Sequence, residues 1–298
     1  MIPRRQRRLA GRYALVDGIP YEMPVNSQHS PALMAAFPID ADKAAKLMPG
    51  GEVHPFRLFG GRGLLVITVI DYRSTDIGKY IEFSIAIACT HGAAPAPALL
   101  PGLLRKTYGT GQFVIDLPVS SEVSVKGGKG IWGMPKHQAN LEFTITDDEV
   151  SSQYDLDGML AMRIEVDKPH QFRLPIGVGA ANYCAFRGLL MKSYIYFDAK
   201  TDFAIGGRAL GGGARLYLGD HPRVDPLRDL DIGSRPVFTA FLPDSKGVLD
   251  DYFESWFLTY EQPPTEQPEG LESVAGLGRS EEWLDPPTSP YQGRHVDP

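Results

Sequence analysis

The stretch YIEFSIAIAC, residues 80–89, decides the fold. Ile81, Phe83, Ile85, Ile87 and Cys89 fall on one side of an extended chain. Tyr80, Glu82, Ser84, Ala86 and Ala88 fall on the other. A period of two sustained over ten residues, rich in β-branched and aromatic side chains, is a strand with one buried face. The same style runs outward in both directions. LLVITVI (64–70) precedes it, and QFVIDLPV, SEVSVK, HQANLEFTIT, GMLAMRIEV, QFRLPIGV, SYIYFDA, ARLYLG and PVFTAFLP follow, most of them separated by Gly, Pro and Asp clusters. Many short strands without long helices between them exclude βαβ units. They predict a mainly β protein, an antiparallel barrel or sandwich.

Three segments break this rhythm. Asp40 can cap a short helix over DADKAAKLM, ended by Pro49-Gly50-Gly51. THGAAPAPALLPGLLRKTYGTG (90–111) is rich in Ala and Pro and then turns helical. In KGVLDDYFESWFLTYE (246–261), Val248, Leu249, Tyr252, Phe253, Trp256 and Phe257 recur at the spacing of a helix with one apolar face. The expected organisation is a single domain over residues 22–261, with an N-terminal arm (1–21) and a Pro-rich acidic tail (262–298). The basic run at Arg4–Arg8 reads as part of a solvated arm. The tail cannot bury enough apolar surface to fold alone. Trp283 and Tyr291 are its candidate anchors, on the body or on a neighbouring subunit.

The chain has 298 residues, 43% hydrophobic and 22% charged, an ordinary soluble composition. A net charge of −6 argues against nucleic acid as a partner. No apolar run reaches the ~18 residues of a membrane helix. The N-terminus lacks the apolar middle of a secretory signal. Cys89 and Cys184 read as two buried thiols in a reducing cytoplasm. The seven histidines show no zinc-binding spacing, so no metal is expected. GVGAAN (177–182) ends on Asn182 and lacks the context of a dinucleotide loop. GGKG and GGRALGGGAR lack the Lys-Ser/Thr ending of a phosphate loop and read as turns and a mobile loop. No cofactor is implied, and no nucleophile elbow is present.

Two charged residues stand out. Lys136 follows the apolar or small run Trp132-Gly133-Met134-Pro135, where a charge is normally excluded or paired. Glu82 shares a strand face with small side chains, which leave room for something that is not protein. Spacing alone fits an exposed strand lysine and a solvated edge acid at least as well.

KGIWGMPKHQANLEF, however, resembles the signature of the acetoacetate decarboxylase family: a Gly-rich turn, a Trp/Tyr-x-Pro, then a Schiff-base lysine. DIGKYIEFSIAI resembles its Tyr-x-Glu strand. GGARLYLGDHPRVDPLRDL resembles its Arg-Leu-x-Leu, His and Pro-Leu-x-x-Leu segment, and DADKAAKLMP its early helix. The likeness is collinear from about residue 24 to 255. It implies an antiparallel β-cone or double barrel with short flanking helices, generally a homo-oligomer. It places Lys136 on the catalytic lysine and Glu82 on the active-site glutamate. The polar shell departs from the pattern. His137 replaces a second lysine, Ser30 (beside Gln28 and His29) an arginine, Ile67 or Thr68 a further glutamate, and Gly130 the glutamate of a Gly-x-Glu turn.

Only a neutral amine attacks a carbonyl, and an ordinary lysine is about one part in two thousand neutral at pH 7. Activating such a lysine by desolvation or a nearby cation is the family's own known device, not a deduction from this sequence. His137 points to the opposite strand face. Burial beside Trp132 and Met134 would then have to keep Lys136 neutral. The iminium it forms can accept the electron pair left by loss of CO2, or stabilise an enamine for aldol or dehydration chemistry. Glu82 and Tyr80 can serve as acid and base. Tyr80, Trp132, Met134 and Arg73 are candidate substrate contacts, Arg73 and Lys79 being the cations nearest the Glu82 strand. The expected function is a Schiff-base lyase that decarboxylates a β-keto acid other than acetoacetate. An aldolase or dehydratase is the first alternative, and a non-catalytic small-molecule binder on the same fold the second. The expected partner is a small keto acid or carbonyl compound.

Overall fold

The strand over 80–89 is β8 (Tyr80–His91), at the centre of a continuous run of pairings. In the computed structural model, which describes residues 11–207 and 210–262, β8 pairs antiparallel with β6 (Arg62–Tyr72) and β9 (Gly111–Val119). From β6 the path continues through β4 (Ala32–Asp40), β17 (Phe238–Leu242), β15 (Leu189–Ile205) and β14 (Phe172–Phe186). It then returns to β9 through a short parallel pairing, Asn182 opposite Gln112 and Tyr183 opposite Phe113. The pairings thus form a ring of these seven strands. Five more complete a twelve-stranded sheet. They are β18 (Ser245–Phe257), β3 (Val25–Gln28), β7 (Ser74–Thr75), β5 (Val53–Pro55) and β10 (Lys136–Gln138).

A second, four-stranded sheet comprises β11 (Asn140–Ile145), β12 (Glu149–Leu156), β13 (Met159–Asp167) and β16 (Gly213–Leu218). Leu33, Phe37, Ile67 and Ile85 from the first sheet pack with Tyr154, Met162, Ile164 and Val166 from the second, all buried in one cluster. The mainly β class read from the strand alternation is what the structure shows.

The short helix after Asp40 is α1 (Ala41–Ala45), and the Asp40 carboxylate accepts from the Asp42 and Lys43 N–H groups at 2.9 Å. The helical part of 90–111 is a single turn, α2 (Leu100–Leu103). Another short turn, α4 (Asp225–Arg228), follows β16.

Three local readings are corrected. SEVSVK is not a strand, nor GGKG a turn. Together they lie in α3 (Glu122–Trp132), whose buried residues are Ser124, Gly127, Gly128 and Trp132. The Ser-Val alternation is too short to specify a strand, and Gly133, at φ +64°, closes the helix. Residues 246–261 are not a helix, since most of them form β18, paired with β15. Ser193 faces Phe253 while Ile195 faces Leu249, so β18 carries a bulge. The bulge interrupts the period of two and mimics helical spacing. Before β3, β1 (Arg12–Val16) and β2 (Ile19–Met23) pair as a hairpin, whose Tyr21 and Met23 are buried against Trp132 and Met134.

GVGAAN lies inside β14. Within the glycine-rich run Gly206 and Gly211 have positive φ, while Gly213–Arg215 already belong to β16. Arg208 and Ala209 within that run lie outside the described residues, as do Arg4–Arg8, Trp283 and Tyr291. Cys89 and Cys184 are free and buried, and burial pushes the Cys184 thiol up to about 12. Among the described residues no helix is long and apolar enough to cross a membrane.

Ile67 is fully buried between the two sheets. Ile67→Ala is expected to cost ~2–5 kcal/mol, the lost transfer energy plus the cavity left behind. A drop in urea midpoint at constant m-value checks it.

Candidate active site

Helix α3 and strand β10 together present Lys136. Past Gly133 the chain reverses. The Met134 N–H donates to the Gly128 carbonyl at 3.1 Å and the Lys136 N–H to the Met134 carbonyl at 2.7 Å. β10 then lies parallel to β9, with Lys136 opposite Leu117. The lysine stem runs back along α3. A Cβ on Gly128 would stand 2.4 Å from Lys136 Cδ, so only glycine admits the stem.

Lys136 is 4% exposed. Its Nζ lies 2.7 Å from Glu82 Oε2 and donates to Ser124 Oγ at 2.8 Å. It also sits 5.4 Å from the centroid of the Tyr80 ring. The lysine of the WGMPK run is therefore neither exposed nor merely dry. It is a buried cation-forming group with a carboxylate partner. Glu82 is 14% exposed, supplied by the small-residue face of β8 as the alternation predicts.

The Tyr80 and Tyr72 rings stack at 4.6 Å between centroids. Burial, then the nearby Glu82 charge, pushes both phenols well above the ordinary tyrosine range.

These groups open onto a cavity of about 890 Å³, a figure that includes solvent at its mouth. Trp132 and Met134 line it, and the Trp132 indole N–H donates to the Asp250 carbonyl at 3.2 Å. Tyr21, Thr68, Tyr72, Gln112 and Asn182 line it too. Its only charged lining residues, among those described, are Lys136 and Glu82.

Arg73 is not brought to this cavity. It is 54% exposed and its Nε donates to Asp71 Oδ2 at 2.8 Å. Lys79 is exposed. Their strand-end positions point them to solvent, which proximity in sequence could not reveal. Ser30 is fully buried, its hydroxyl donating to the Gln28 carbonyl, and His29 meets Asp244 at the surface. Of the two candidates at the further glutamate position, Ile67 faces the core and Thr68 the cavity. Gly130 packs on the hairpin, where a Cβ would stand 2.7 Å from Val16 Cγ1.

His137 turns away from the cavity, as strand alternation requires. Its Nε2 lies 3.0 Å from Asp116 Oδ1, an oxygen that also accepts from Arg223 Nε at 2.9 Å. Tyr154 OH donates to the other oxygen at 3.3 Å. Among the described residues no group of three or more His, Cys, Asp or Glu side chains is placed to hold a metal ion.

The residues missed from sequence are Ser124, Tyr72 and the glycine at 128. Helical spacing of Ser124, Gly127 and Gly128 on one face was the available signal. Tyr72 reaches the site only through the register that sets it opposite Tyr80.

Two outcomes follow from this packing. Gly128→Ala should stabilise an isolated helix by up to ~1 kcal/mol, yet its methyl would push Lys136 off Glu82. Covalent trapping at Lys136 is expected to slow at least ~10-fold while overpacking lowers stability by no more than ~3 kcal/mol. The second outcome concerns alkaline pH. An unfolded tyrosine ionises near pH 10, where Tyr72 and Tyr80 in the fold stay neutral. The unfolded chain then holds fewer protons. Stability is therefore full below about pH 10 and falls above it by ~1.4 kcal/mol per pH unit for each such tyrosine. Urea melts between about pH 8 and 11 test this, and Tyr72→Phe should make the decline shallower.

The acetoacetate decarboxylase (ADC) family model matches residues 14–173, more than half of the chain. No curated protein matches. Among solved structures, acetoacetate decarboxylase from Legionella pneumophila superposes with a TM-score of 0.55 at 14% identity, covering 83% of this chain and 89% of that one. The enduracididine biosynthesis enzyme MppR superposes at 0.53 and 14% identity, covering 79% and 88%. At such identities the structural likeness speaks for the fold. The family model and the fold agree, and the chain belongs to the acetoacetate decarboxylase family.

Proposed function

We propose that Lys136 forms a Schiff base with a small keto acid or other carbonyl compound, and that the protein is a carbon–carbon lyase acting on a β-keto acid other than acetoacetate. The observation that carries this reading is the pair of buried contacts at the cavity wall, Lys136 Nζ with Glu82 Oε2 and with Ser124 Oγ.

The geometry supports each step. Glu82 takes one proton from Nζ over 2.7 Å, leaving a neutral amine. The amine attacks the carbonyl carbon. The carbinolamine hydroxyl leaves as water, with a proton returned by Glu82, and an iminium remains. Loss of CO2 moves the C–C bonding pair into an enamine, which takes at carbon the one proton that the overall decarboxylation draws from solvent, delivered through Glu82. Hydrolysis then releases the ketone and the lysine. Ser124 keeps a hydrogen bond for the nitrogen throughout, so Glu82 can act on oxygen and carbon. The family's fold accommodates keto acids elsewhere, since MppR has been solved with pyruvate.

A second reading, aldol or dehydration chemistry without loss of CO2, is favoured by one feature. Apart from Lys136, no described lining residue of the cavity is a cation that could clamp a carboxylate, whereas the acid–base group is in place. A homo-oligomer fits the exposed aromatic side chains of β18, with Phe257 81% exposed. A cytoplasmic location fits the two unpaired buried thiols.

Borohydride trapping with a panel of keto acids and ketones, scored also for CO2 release, tests these readings. A covalent adduct is expected on the peptide carrying Lys136, and none in Lys136→Ala. Acetoacetate is expected to decarboxylate ~10–100-fold more slowly than a charge-assisted bond to its carboxylate would allow. Saturable binding without any adduct would make the protein a non-catalytic binder.

A further inference from the structure

The polar groups at Lys136 have a counterpart at the other end of the cavity. Gln112 on β9 and Asn182 on β14 line it where those strands meet in parallel, Asn182 opposite Gln112. Gln112 Nε2 donates to Asn182 Oδ1 at 2.8 Å. This bond leaves most of the pair's capacity unused, because each amide offers two N–H donors and a carbonyl acceptor. No other side-chain bond engages either amide among the described residues, and neither has a sealed, unpartnered atom. Exchanging the oxygen and nitrogen of both amides leaves the same surplus of donor and acceptor.

The distance between the two ends follows from the register. Lys136 stands opposite Leu117 on β9, five positions from Gln112. One of those positions is taken up by a bulge, where Ile85 and Ala86 face Asp116 and Val114. Four rises of a strand set Gln112 ~13 Å along β9 from the residue that faces Lys136. The bulge also brings both Val114 and Leu117 to the cavity wall, so the β9 side of the stretch between the ends is apolar, with Ser84 and Thr68 facing it from β8 and β6.

We propose that Gln112 and Asn182 form a second recognition subsite, selecting a carbonyl substrate with a largely apolar middle and a neutral hydrogen-bonding end, a hydroxyl or a primary amide. The inference rests on the Schiff-base reading of Lys136. A bare alkyl end would displace water from the amides without replacing its hydrogen bonds. A charged end would lose its hydration with no opposite charge nearby, since the lining charges are Lys136 and Glu82.

The test uses straight-chain methyl ketones, the products of β-keto acid decarboxylation, in matched pairs over a range of chain lengths. One member of each pair ends in a methyl group and the other in a primary carboxamide. The reading is the concentration that half-saturates borohydride trapping. At the length that spans the cavity, the carboxamide ketone should trap at ~10-fold lower concentration, the effect of one to two net hydrogen bonds. Gln112→Leu should bring that ratio towards one, and Asn182→Ala is the second variant should leucine not be accommodated. Wild-type protein that traps both members equally at every length overturns the subsite. So does a preference that survives both substitutions. Wild-type protein that traps no ketone or keto acid at all overturns the Schiff-base reading instead, and the subsite with it.

Discussion

The approach of the Lys136 side chain to the bare backbone of Gly128 is the constraint on which the site depends. It lets a strand residue send its amine back along a helix to a carboxylate on a third element. Taking either charge out of water alone costs several kcal/mol. Here Glu82 supplies the opposite charge, Ser124 a hydrogen-bond acceptor and Tyr80 an aromatic face. The elements β8, α3 and β10 are thereby held to one another by the same contacts that make the amine usable. A lysine drawn 2.7 Å from a carboxylate is a different device from one kept neutral by dryness alone. Under the proposed Schiff-base reading, Glu82 would take the proton that frees the amine, in a cavity with no other described charge.

Strand alternation then separates reactivity from support. Lys136 faces the cavity and His137 the opposite side, where Asp116 joins it to Arg223 and Tyr154. That buried carboxylate ties β10 and β9 to β12 and to the turn preceding α4. The position that carries a second lysine in the family pattern is thus occupied by a group tied into the structure. It cannot lend its charge to the amine across the strand. The bulge on β9 matters for the same reason of parity. It allows Val114 and Leu117 to face one cavity and Asp116 to face away.

Much of this was legible in the sequence. A period of two marked β8, and small residues beside Glu82 marked a face with room for a ligand. Trp-Gly-Met-Pro before Lys136 marked a place where a charge needs a reason. These are local signals, because side-chain direction along a strand and the exclusion of charge from apolar surroundings act over a few residues. The sequence by itself therefore determined the mainly β class, the two charged residues that the cavity brings together and the family. Only the tertiary structure decided the rest. It made SEVSVK a helix face carrying Ser124, and it turned a helix-spaced apolar run into a bulged strand paired with β15. It drew Tyr72 onto Tyr80 and left Arg73 in solvent beside Asp71. Each of these depends on register and pairing between segments far apart in the chain. Such contacts outweigh local propensity whenever they bury more surface or satisfy more backbone groups, and no window of neighbouring residues records them.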